Sequence, residues 1–188
     1  LRRLEQPVRE FLMKSAVLPK MRASDVERLT GNERGGAILA DLARRNYFTY
    51  QLSPRERVYE YHPLFREFLL VQLGQAFSTA ELQDLQSAAA RLLDAAGLAE
   101  DAANLWGAAQ DHAALIPHIL KHAPHLLAEG RSHVIEQWLS TLPSEQLSLH
   151  PWLQYWSGIC RLAFDPTGAR PPLEIAFLLF EQAGDASG

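Results

Sequence analysis

The segment "VYEYHPLFREFLLVQL", Val58 to Leu73, changes its periodicity at one residue and thereby decides the fold of the first part of the chain. Before His62, the side chains of Tyr59 and Tyr61 alternate with other residues, which is typical of a strand with one buried face. After His62, apolar residues recur at helical spacing, and Pro63 suits the first turn of a helix. The segment therefore predicts a strand that leads directly into a helix, with a histidine at the junction.

Three helical segments precede this strand. In "EQPVREFLMKSAVL", apolar residues recur at helical spacing after Pro7. In "ASDVERLTG", we expect Ser24 to cap a short helix, Glu27 to complete its capping box, and Gly31 to end it. A third helix is expected from Asn32 to Asn46. These segments predict a small helical core beside the strand.

A β-hairpin is predicted between the third helix and His62. In "YFTYQLSPRERVYEYH", Phe48, Tyr50 and Leu52 alternate before the turn "SPRER", so they share one face of a strand. Three helices, this two-stranded wing and the closing helix from Pro63 make up a winged helix-turn-helix. We assign it to residues 1–77.

The pattern after residue 77 is helical throughout. Short segments with tight links carry alanines where neighbouring helices would touch, which favours a stacked α-solenoid over residues 78–188. We call this region tetratricopeptide-like, because the strict repeat consensus is not visible. "AFDPTGARPPLE" is expected to be a loop, and "IAFLLFEQAGD" to begin a helix whose partner lies beyond Gly188. The predicted fold class is mainly α, a winged-helix domain followed by this solenoid.

Composition restricts the class of protein. The chain is 47% hydrophobic and 21% charged, as is common for globular domains, and its longest apolar run, Ile175 to Phe180, cannot span a bilayer. Cys160 is the single cysteine, which excludes an internal disulfide and a cysteine-based zinc site. We therefore expect a cytoplasmic protein without a membrane partner. Because it begins with Leu1, we also expect it to be a piece of a longer chain.

Charge is divided unevenly along the chain. Residues 1–77 carry 13 Lys and Arg against 9 Asp and Glu, a net +4, while residues 78–188 carry 5 against 13, a net −8. A basic first region fits nucleic acid, a solvated surface or an acidic neighbour. The candidate DNA contacts on the third helix are Arg34, Arg44 and Arg45, but Asp41 has the wrong charge. A stand-alone DNA-binding protein remains an alternative, which salt-dependent binding to duplex DNA would distinguish.

Sequence motifs of catalysis are missing. There is no G-x-x-x-x-G-K-[ST], G-x-S-x-G or H-E-x-x-H pattern, so we predict that the chain is not an enzyme. A histidine cluster includes two residues at i,i+4 spacing, but no acidic residue accompanies it at metal-ligand spacing. We therefore predict a surface or groove-lining helix and no metal site. Four tryptophans could line an aromatic groove, but inter-helix packing is the favoured interpretation. The histidines of the cluster are His112, His118, His122 and His125, and the tryptophans are Trp106, Trp138, Trp152 and Trp156.

Several segments resemble the maltose-regulator type of large ATP-dependent bacterial transcription regulators, which belong to the LuxR family and to the signal-transduction ATPase class. The similarity extends over nearly the whole chain. Its most specific elements are the aromatic–His–x–Leu–Phe block and the block with "WLSTLP" and "HPWL". The segments are "FLMKSAVL", "ERLTG", "ILADLARRNYF", "YEYHPLFREFL", "AARLLDAAGLAEDAANLWGAAQD" and "IEQWLSTLPSEQLSLHPWL".

The resemblance implies a domain order and a set of partners. Such regulators carry an N-terminal P-loop ATPase, a winged helix, a helical-repeat sensor and a C-terminal LuxR-type DNA-binding domain. By comparison this chain is the non-catalytic middle, which couples the ATPase to the sensor: residues 1–77 would be a winged-helix arm domain that packs on the ATPase, and residues 78–188 the first repeats of the sensor. Its expected partners are the ATPase domain, further helical repeats and a small-molecule inducer or protein regulator. DNA would be bound only by the C-terminal domain. ATP or ADP would bind the parent protein, and we expect no cofactor in this chain. A helical-repeat adaptor for proteins remains a further alternative.

The same resemblance gives His62 a role. In related signalling ATPases, including plant disease-resistance proteins and the apoptotic-protease activator, a histidine at the corresponding corner contacts the β-phosphate of ADP. The plant motif is Met-His-Asp-Leu, and here it is Tyr61-His62-Pro63-Leu64. The resemblance therefore implies nucleotide phosphate sensing by His62 in the full-length parent, although Pro63 replaces the Asp. From the residues alone, a capping or packed aromatic histidine is the favoured interpretation of this position.

Overall fold

The computed structural model describes residues 5–184. The chain is mainly helical and forms two compact units, Leu1–Gly97 and Leu98–Gly188. No helix in the described part of the chain is long and apolar enough to cross a membrane. The elements of the first unit are α1 (Gln6–Ser15), β1 (Met21–Arg22), α2 (Ala23–Thr30), α3 (Gly35–Arg44), β2 (Thr49–Ser53), β3 (Val58–Tyr61), α4 (Pro63–Ala76) and α5 (Thr79–Ala95).

The predicted switch from strand to helix is confirmed at His62, which lies between β3 and α4. The hairpin prediction was incomplete, however, because the sheet has three antiparallel strands in the order β1-β3-β2. β1 is only two residues long, and a period of two residues cannot be recognised in so short a segment. It pairs Met21 with Tyr59, so β3 is the central strand.

The core of the first unit lies between one face of the sheet and the helices. Tyr59 and Tyr61 are each 1% exposed, and the Tyr61 hydroxyl is 2.8 Å from the Ser15 hydroxyl of α1. Burial raises the pKa of Tyr61, while its hydrogen bond with Ser15 opposes the shift. Helix α1 packs on α2 and α4, and α2 packs on α3. The side chains at the centre of this core are fully buried, among them Leu12, Val26, Leu39 and Leu69.

The start of α2 differs from the predicted capping box. Arg22, not Ser24, occupies the N-cap position, and no side chain caps the helix. Glu27 instead accepts a hydrogen bond from the Gly36 amide of α3, at 3.0 Å between Oε1 and N. The predicted end is correct, since Gly31 adopts a left-handed conformation with φ of 69°. Glu27 therefore joins two helices of the core rather than closing the turn of its own helix.

Helix α5 connects the two predicted regions. Its capping box is complete: the Ser78 amide donates to Glu81 Oε2 at 2.8 Å, and the Ser78 hydroxyl accepts from the Glu81 amide at 3.4 Å. Within the first unit α5 packs on α2 and α4. The sequence pattern placed the change of domain at about residue 77, before this helix, whereas the compact units divide after Gly97.

The second unit consists of helices. One predicted loop, "AFDPTGARPPLE", is wrong, because α11 begins at Pro166 inside that segment. Asp165 caps the helix by accepting from the Gly168 amide at 2.9 Å, and Pro166 occupies its first turn, where no N–H is needed. Pro171 and Pro172 lie inside the helix. The helices of the unit are α6 (Ala99–Ala108), α7 (His112–Ala128), α8 (Ser132–Ser140), α9 (Ser144–Leu149), α10 (Pro151–Leu162) and α11 (Pro166–Ala183).

The tryptophans belong to the packing of the second unit, as predicted. Trp106, Trp138 and Trp156 are buried, and the Trp152 ring packs edge-on against Phe180 with centroids 5.0 Å apart. These rings fill the spaces between helices instead of lining an open groove. Cys160 is also buried, and burial raises the pKa of its thiol to about 11, so it is not a reactive cysteine.

Candidate functional site

The backbone of His62 makes two hydrogen bonds that connect β3 to α4. Its amide donates to the Phe48 carbonyl at 2.7 Å, which extends the pairing with the segment before β2. Its carbonyl accepts from the Arg66 amide at 2.9 Å, which starts the helix. The residue occupies the N-cap position, but its side chain makes no capping hydrogen bond. A role as a capping side chain is therefore wrong, and the imidazole is left available for another contact.

The imidazole lies on the outer face of the sheet among aromatic rings. Its centroid is 6.4 Å from the Phe48 ring and 6.3 Å from the Tyr50 ring, and Phe48 lies 5.6 Å from Phe65. We call Phe48, Tyr50, His62 and Phe65 the outer aromatic face. Phe48 and Tyr50 are 61% and 52% exposed, so these rings do not form part of the core. Within residues 5–184, no hydrogen bond of the imidazole is seen.

The amino terminus of α4 adds hydrogen-bond donors next to His62. Helical hydrogen bonding in α4 begins with the Arg66 amide, which bonds to the His62 carbonyl. The Leu64 and Phe65 amides therefore have no partner within the helix. Pro63 has no amide hydrogen. Helix termini of this kind carry partial positive charge and favour anions such as phosphate. An imidazole and two amides at one helix end form a suitable set of donors for an anion.

Helix α4 also presents an exposed apolar stripe. Leu64, Phe68 and Val71 are 71%, 46% and 53% exposed and follow the i, i+4, i+7 spacing of one helical face. Exposed apolar surface of this extent commonly marks a site of contact with another protein or domain. The stripe and the outer aromatic face begin at the same junction, so both surfaces are positioned by the start of α4.

The candidate DNA contacts are divided between the two ends of α3, and Asp41 offsets one of the two positive charges at its carboxyl end. Arg44 and Arg45 lie at the carboxyl end of α3, and both make ion pairs with Asp41; for Arg45 the distance from Nε to Oδ2 is 2.9 Å. Arg34 lies at the opposite end of α3, in the N-cap position. The structure therefore brings two of the three arginines together, but it places a carboxylate between them. This arrangement weakens attraction to phosphate along a DNA groove.

The histidines of α7 have unequal environments. His118 is 4% exposed, and its Nε2 lies 2.9 Å from the Ala99 carbonyl oxygen. Its ring packs between those of Trp106 and Trp138, at 5.0 and 5.4 Å. His125 instead lies at the surface, 3.1 Å from Glu129. The predicted surface or groove-lining helix is therefore wrong for His118, because the apolar face of α7 carries this histidine into the interior of the second unit.

Sequence reasoning identified His62 but missed its aromatic neighbours. Tyr50 of β2 and Phe48, the residue just before β2, share one face, as their alternation predicted, but the register turns that face away from the core. Thr49 pairs with Tyr61, and Tyr50 pairs with Glu60, so the inward side of β2 carries Thr49. The sequence of β3 could have indicated this arrangement. Its two tyrosines mark the face of β3 that is buried, and the pairing register of β2 with β3 then places Phe48 opposite His62.

Comparison with known proteins agrees with this architecture. Residues 1–81 match the family model described as the MalT winged helix domain. The HTH-type transcriptional regulator MalT of Cronobacter sakazakii is 34% identical over 159 residues, which cover 83% of this chain and 18% of that protein. The chain thus spans less than a fifth of the length of this relative. Residues 1–81 therefore form a winged helix domain of the MalT type, and the chain is similar to a fragment of a MalT-like transcription regulator.

Proposed function

We propose that this chain is a non-catalytic regulatory segment of an ATP-dependent, LuxR-type transcription regulator. In this proposal the first unit docks on an ATPase domain of the parent protein, and the second unit connects it to a tetratricopeptide-like sensor. ATP and ADP bind to the ATPase domain, an inducer or a protein regulator acts on the sensor, and a separate domain binds DNA. The similarity to MalT supports the regulatory role, and the geometry around His62 supports the docking surface.

The observation that carries the proposal is the exposure of aromatic side chains around an imidazole that has no hydrogen bond to any of the residues from 5 to 184. Phe48 has a φ of 50°, a conformation uncommon for a residue with a Cβ, and its side chain is 61% exposed. Burial in the core therefore does not explain either its conformation or its residue type. The conformation accompanies the local turn in which the Phe48 amide bonds to the Asn46 carbonyl at 3.0 Å. A surface that another domain covers would account for the residue type, because aromatic residues are enriched at interfaces.

A bound nucleotide would supply the partner of the imidazole. A neutral imidazole can donate its ring N–H to a phosphate oxygen, and the Leu64 and Phe65 amides point from the same helix end. ADP held by the ATPase domain would then link that domain to the first unit. Loss of the link would favour the undocked arrangement, since a ligand shifts an equilibrium only through contacts that differ between states.

The proposal is tested in the full-length parent by replacing His62 with alanine. We expect ADP to dissociate roughly tenfold faster, because a hydrogen bond to a charged group contributes on the order of 1.5–3 kcal/mol. Basal transcription without inducer should rise as the docked population falls. Release of a fluorescent ADP analogue and a reporter gene would measure the two effects.

The matched control is His125→Ala, which removes an exposed histidine from α7 and should leave both readouts unchanged. Unaltered ADP release together with unaltered basal transcription in the His62→Ala variant would refute a role in nucleotide sensing. A fall in both ADP release and basal activity would also contradict the proposal, since it requires the docked state to be the inactive one.

A further inference from the structure

Strand β2 is an edge of the sheet, and its hydrogen-bonding groups can be assigned from the register. The His62 amide bonds to the Phe48 carbonyl, so Phe48 and His62 form a hydrogen-bonded pair. Such pairs alternate in an antiparallel ladder, and the next one is Tyr50 with Glu60. The amide and carbonyl groups of Thr49 and Gln51 therefore point away from β3. Apart from bonds within the sheet itself, the hydrogen bonds of residues 5–184 involve none of these four groups, and the register of β2 shifts only after Gln51, between Gln51 and Ser53.

A groove runs along this free edge. Its volume is about 590 Å³, and one wall is formed by α3 and the other by β2. Two alanines one helical turn apart, Ala40 and Ala43, leave space on the helix side. This volume is large enough to hold side chains of an extended segment beside the strand. The lining residues are Ala40, Ala43, Arg44, Asn46, Thr49, Tyr50 and Gln51.

We propose that this groove binds an extended, acidic peptide segment of a partner protein, which adds a fourth strand beside β2. The amides and carbonyls of Thr49 and Gln51 pair with the backbone of the peptide, as in other cases of strand addition. Side chains on one face of the peptide enter the space beside Ala40 and Ala43. The order of the sheet becomes β1-β3-β2-peptide.

Charge at the rim decides the class of peptide. Arg44 and Arg45 are 76% and 57% exposed, and they share a single carboxylate, Asp41, so one positive charge is left over at this end of the groove. Among the lining residues there is no Asp or Glu to repel an acidic segment. An acidic side chain next to Arg44 therefore gains attraction that a basic one does not.

This site shares Tyr50 with the outer aromatic face but uses backbone groups that the aromatic face does not. The rings of Phe48 and Tyr50 project from a face of the sheet, whereas the Thr49 and Gln51 groups lie in its plane. Docking through the outer aromatic face uses side chains, whereas strand addition at β2 uses the backbone amides and carbonyls of Thr49 and Gln51. The inference stands or falls without any contribution from a nucleotide or an ATPase domain.

The test uses the 188-residue chain and three synthetic peptides with blocked ends. The first is Thr-Val-Glu-Val-Glu-Val-Thr, the second has lysine for both glutamates, and the third is the acidic peptide with alternate backbone amides methylated. Nuclear magnetic resonance would follow the amide signals. We expect the acidic peptide to bind saturably and to slow hydrogen exchange at Thr49 and Gln51, with at least roughly threefold weaker binding of the lysine peptide at low salt.

Two substitutions at one position separate backbone pairing from side-chain contact. Gln51→Pro removes an outward amide hydrogen without disturbing the ladder with β3, because proline is tolerated at such edge positions. It should weaken binding of the acidic peptide by about tenfold. Gln51→Ala keeps the amide and should bind as the unaltered chain does. Should the proline variant unfold, the methylated peptide provides the same comparison on the unaltered chain.

Binding of the methylated peptide as tightly as the acidic one would overturn the proposal. So would an absence of protection at Thr49 and Gln51 with 1 mM acidic peptide, a concentration chosen to detect even weak strand addition. Concentration-dependent protection of the same amides without any peptide, together with dimers in sedimentation, would assign the edge to a second copy of this chain and would also overturn it.

Discussion

Replacement of Tyr59 by alanine is expected to lower the free energy of unfolding of the first unit by about 3–5 kcal/mol, the usual cost of removing a large aromatic side chain from a core. Tyr59 is 1% exposed and lies on the central strand, where it pairs with Met21 on one side and Gln51 on the other. Its removal would leave a cavity beneath the sheet that neighbouring strands cannot close. Urea denaturation followed by circular dichroism would measure the loss.

The matched control is Tyr50→Ala on the adjacent strand. Tyr50 is 52% exposed on the opposite face, so its replacement should change the free energy of unfolding by no more than about 0.5 kcal/mol. A loss at Tyr50 as large as that at Tyr59 would show that the outer face is part of the core. That result would remove the structural basis for a docking surface around His62.

Replacement of Gly158 by alanine should destabilise the second unit by about 2–3 kcal/mol through overpacking. Gly158 lies where α10 crosses α11, and a Cβ there would be 2.4 Å from Cγ of Leu173 and 3.1 Å from the Ala169 carbonyl oxygen. The helix backbone cannot move away without separating the two helices. Tryptophan fluorescence during denaturation reports on this unit, because Trp106, Trp138, Trp152 and Trp156 all lie in it.

Gly107→Ala provides the comparison in the same unit. Its added Cβ would meet the Thr141 side chain at 3.3 Å, a contact that a small shift relieves. Alanine is also about 1 kcal/mol better than glycine inside a helix, which offsets this crowding. We expect little net change. Equal destabilisation at Gly107 and Gly158 would mean that helix contacts at Gly158 are looser than the distances indicate.

Local patterns were enough to predict most elements of the first unit. The alternation of Tyr59 and Tyr61 and the helical spacing after Pro63 were confirmed, since each depends on residues near one another in sequence. β1 could not be predicted, because its two residues become a strand only through pairing with β3. The cap at Ser24 was wrong because α2 begins at Ala23, which places Ser24 inside the first turn, and Glu27 accepts from the Gly36 amide instead of closing a capping box.

Long-range packing also explains the error in the second unit. Pro166, Pro171 and Pro172 in one short segment normally indicate a loop. In the folded chain Asp165 and Pro166 start a helix, and burial of Ala169 and Pro172 against α10 stabilises its continuation. Contacts between α11 and α10 override the preference of these prolines for a loop, and a short stretch of sequence does not reveal such contacts.

The candidate site was predictable only in part. His62 was identified from the junction and from the resemblance to signalling ATPases, but its neighbours depend on the register between β2 and β3. That register places Phe48 opposite His62 and turns the aromatic side chains outward. A shift by one residue would have buried Phe48 and Tyr50 and exposed Thr49. Without the pairing, the sequence could not indicate which face of the hairpin was free.

The central claim, that the outer aromatic face docks on a nucleotide-bound domain, is tested most directly by hydroxyl-radical footprinting of the full-length parent with ADP. The account predicts that Phe48 and Tyr50 are modified several times more slowly in the ADP-bound parent than in this chain alone, whereas Leu149 of α9, which is 75% exposed, serves as an internal reference. Equal modification of Phe48 and Tyr50 in the two samples would contradict it.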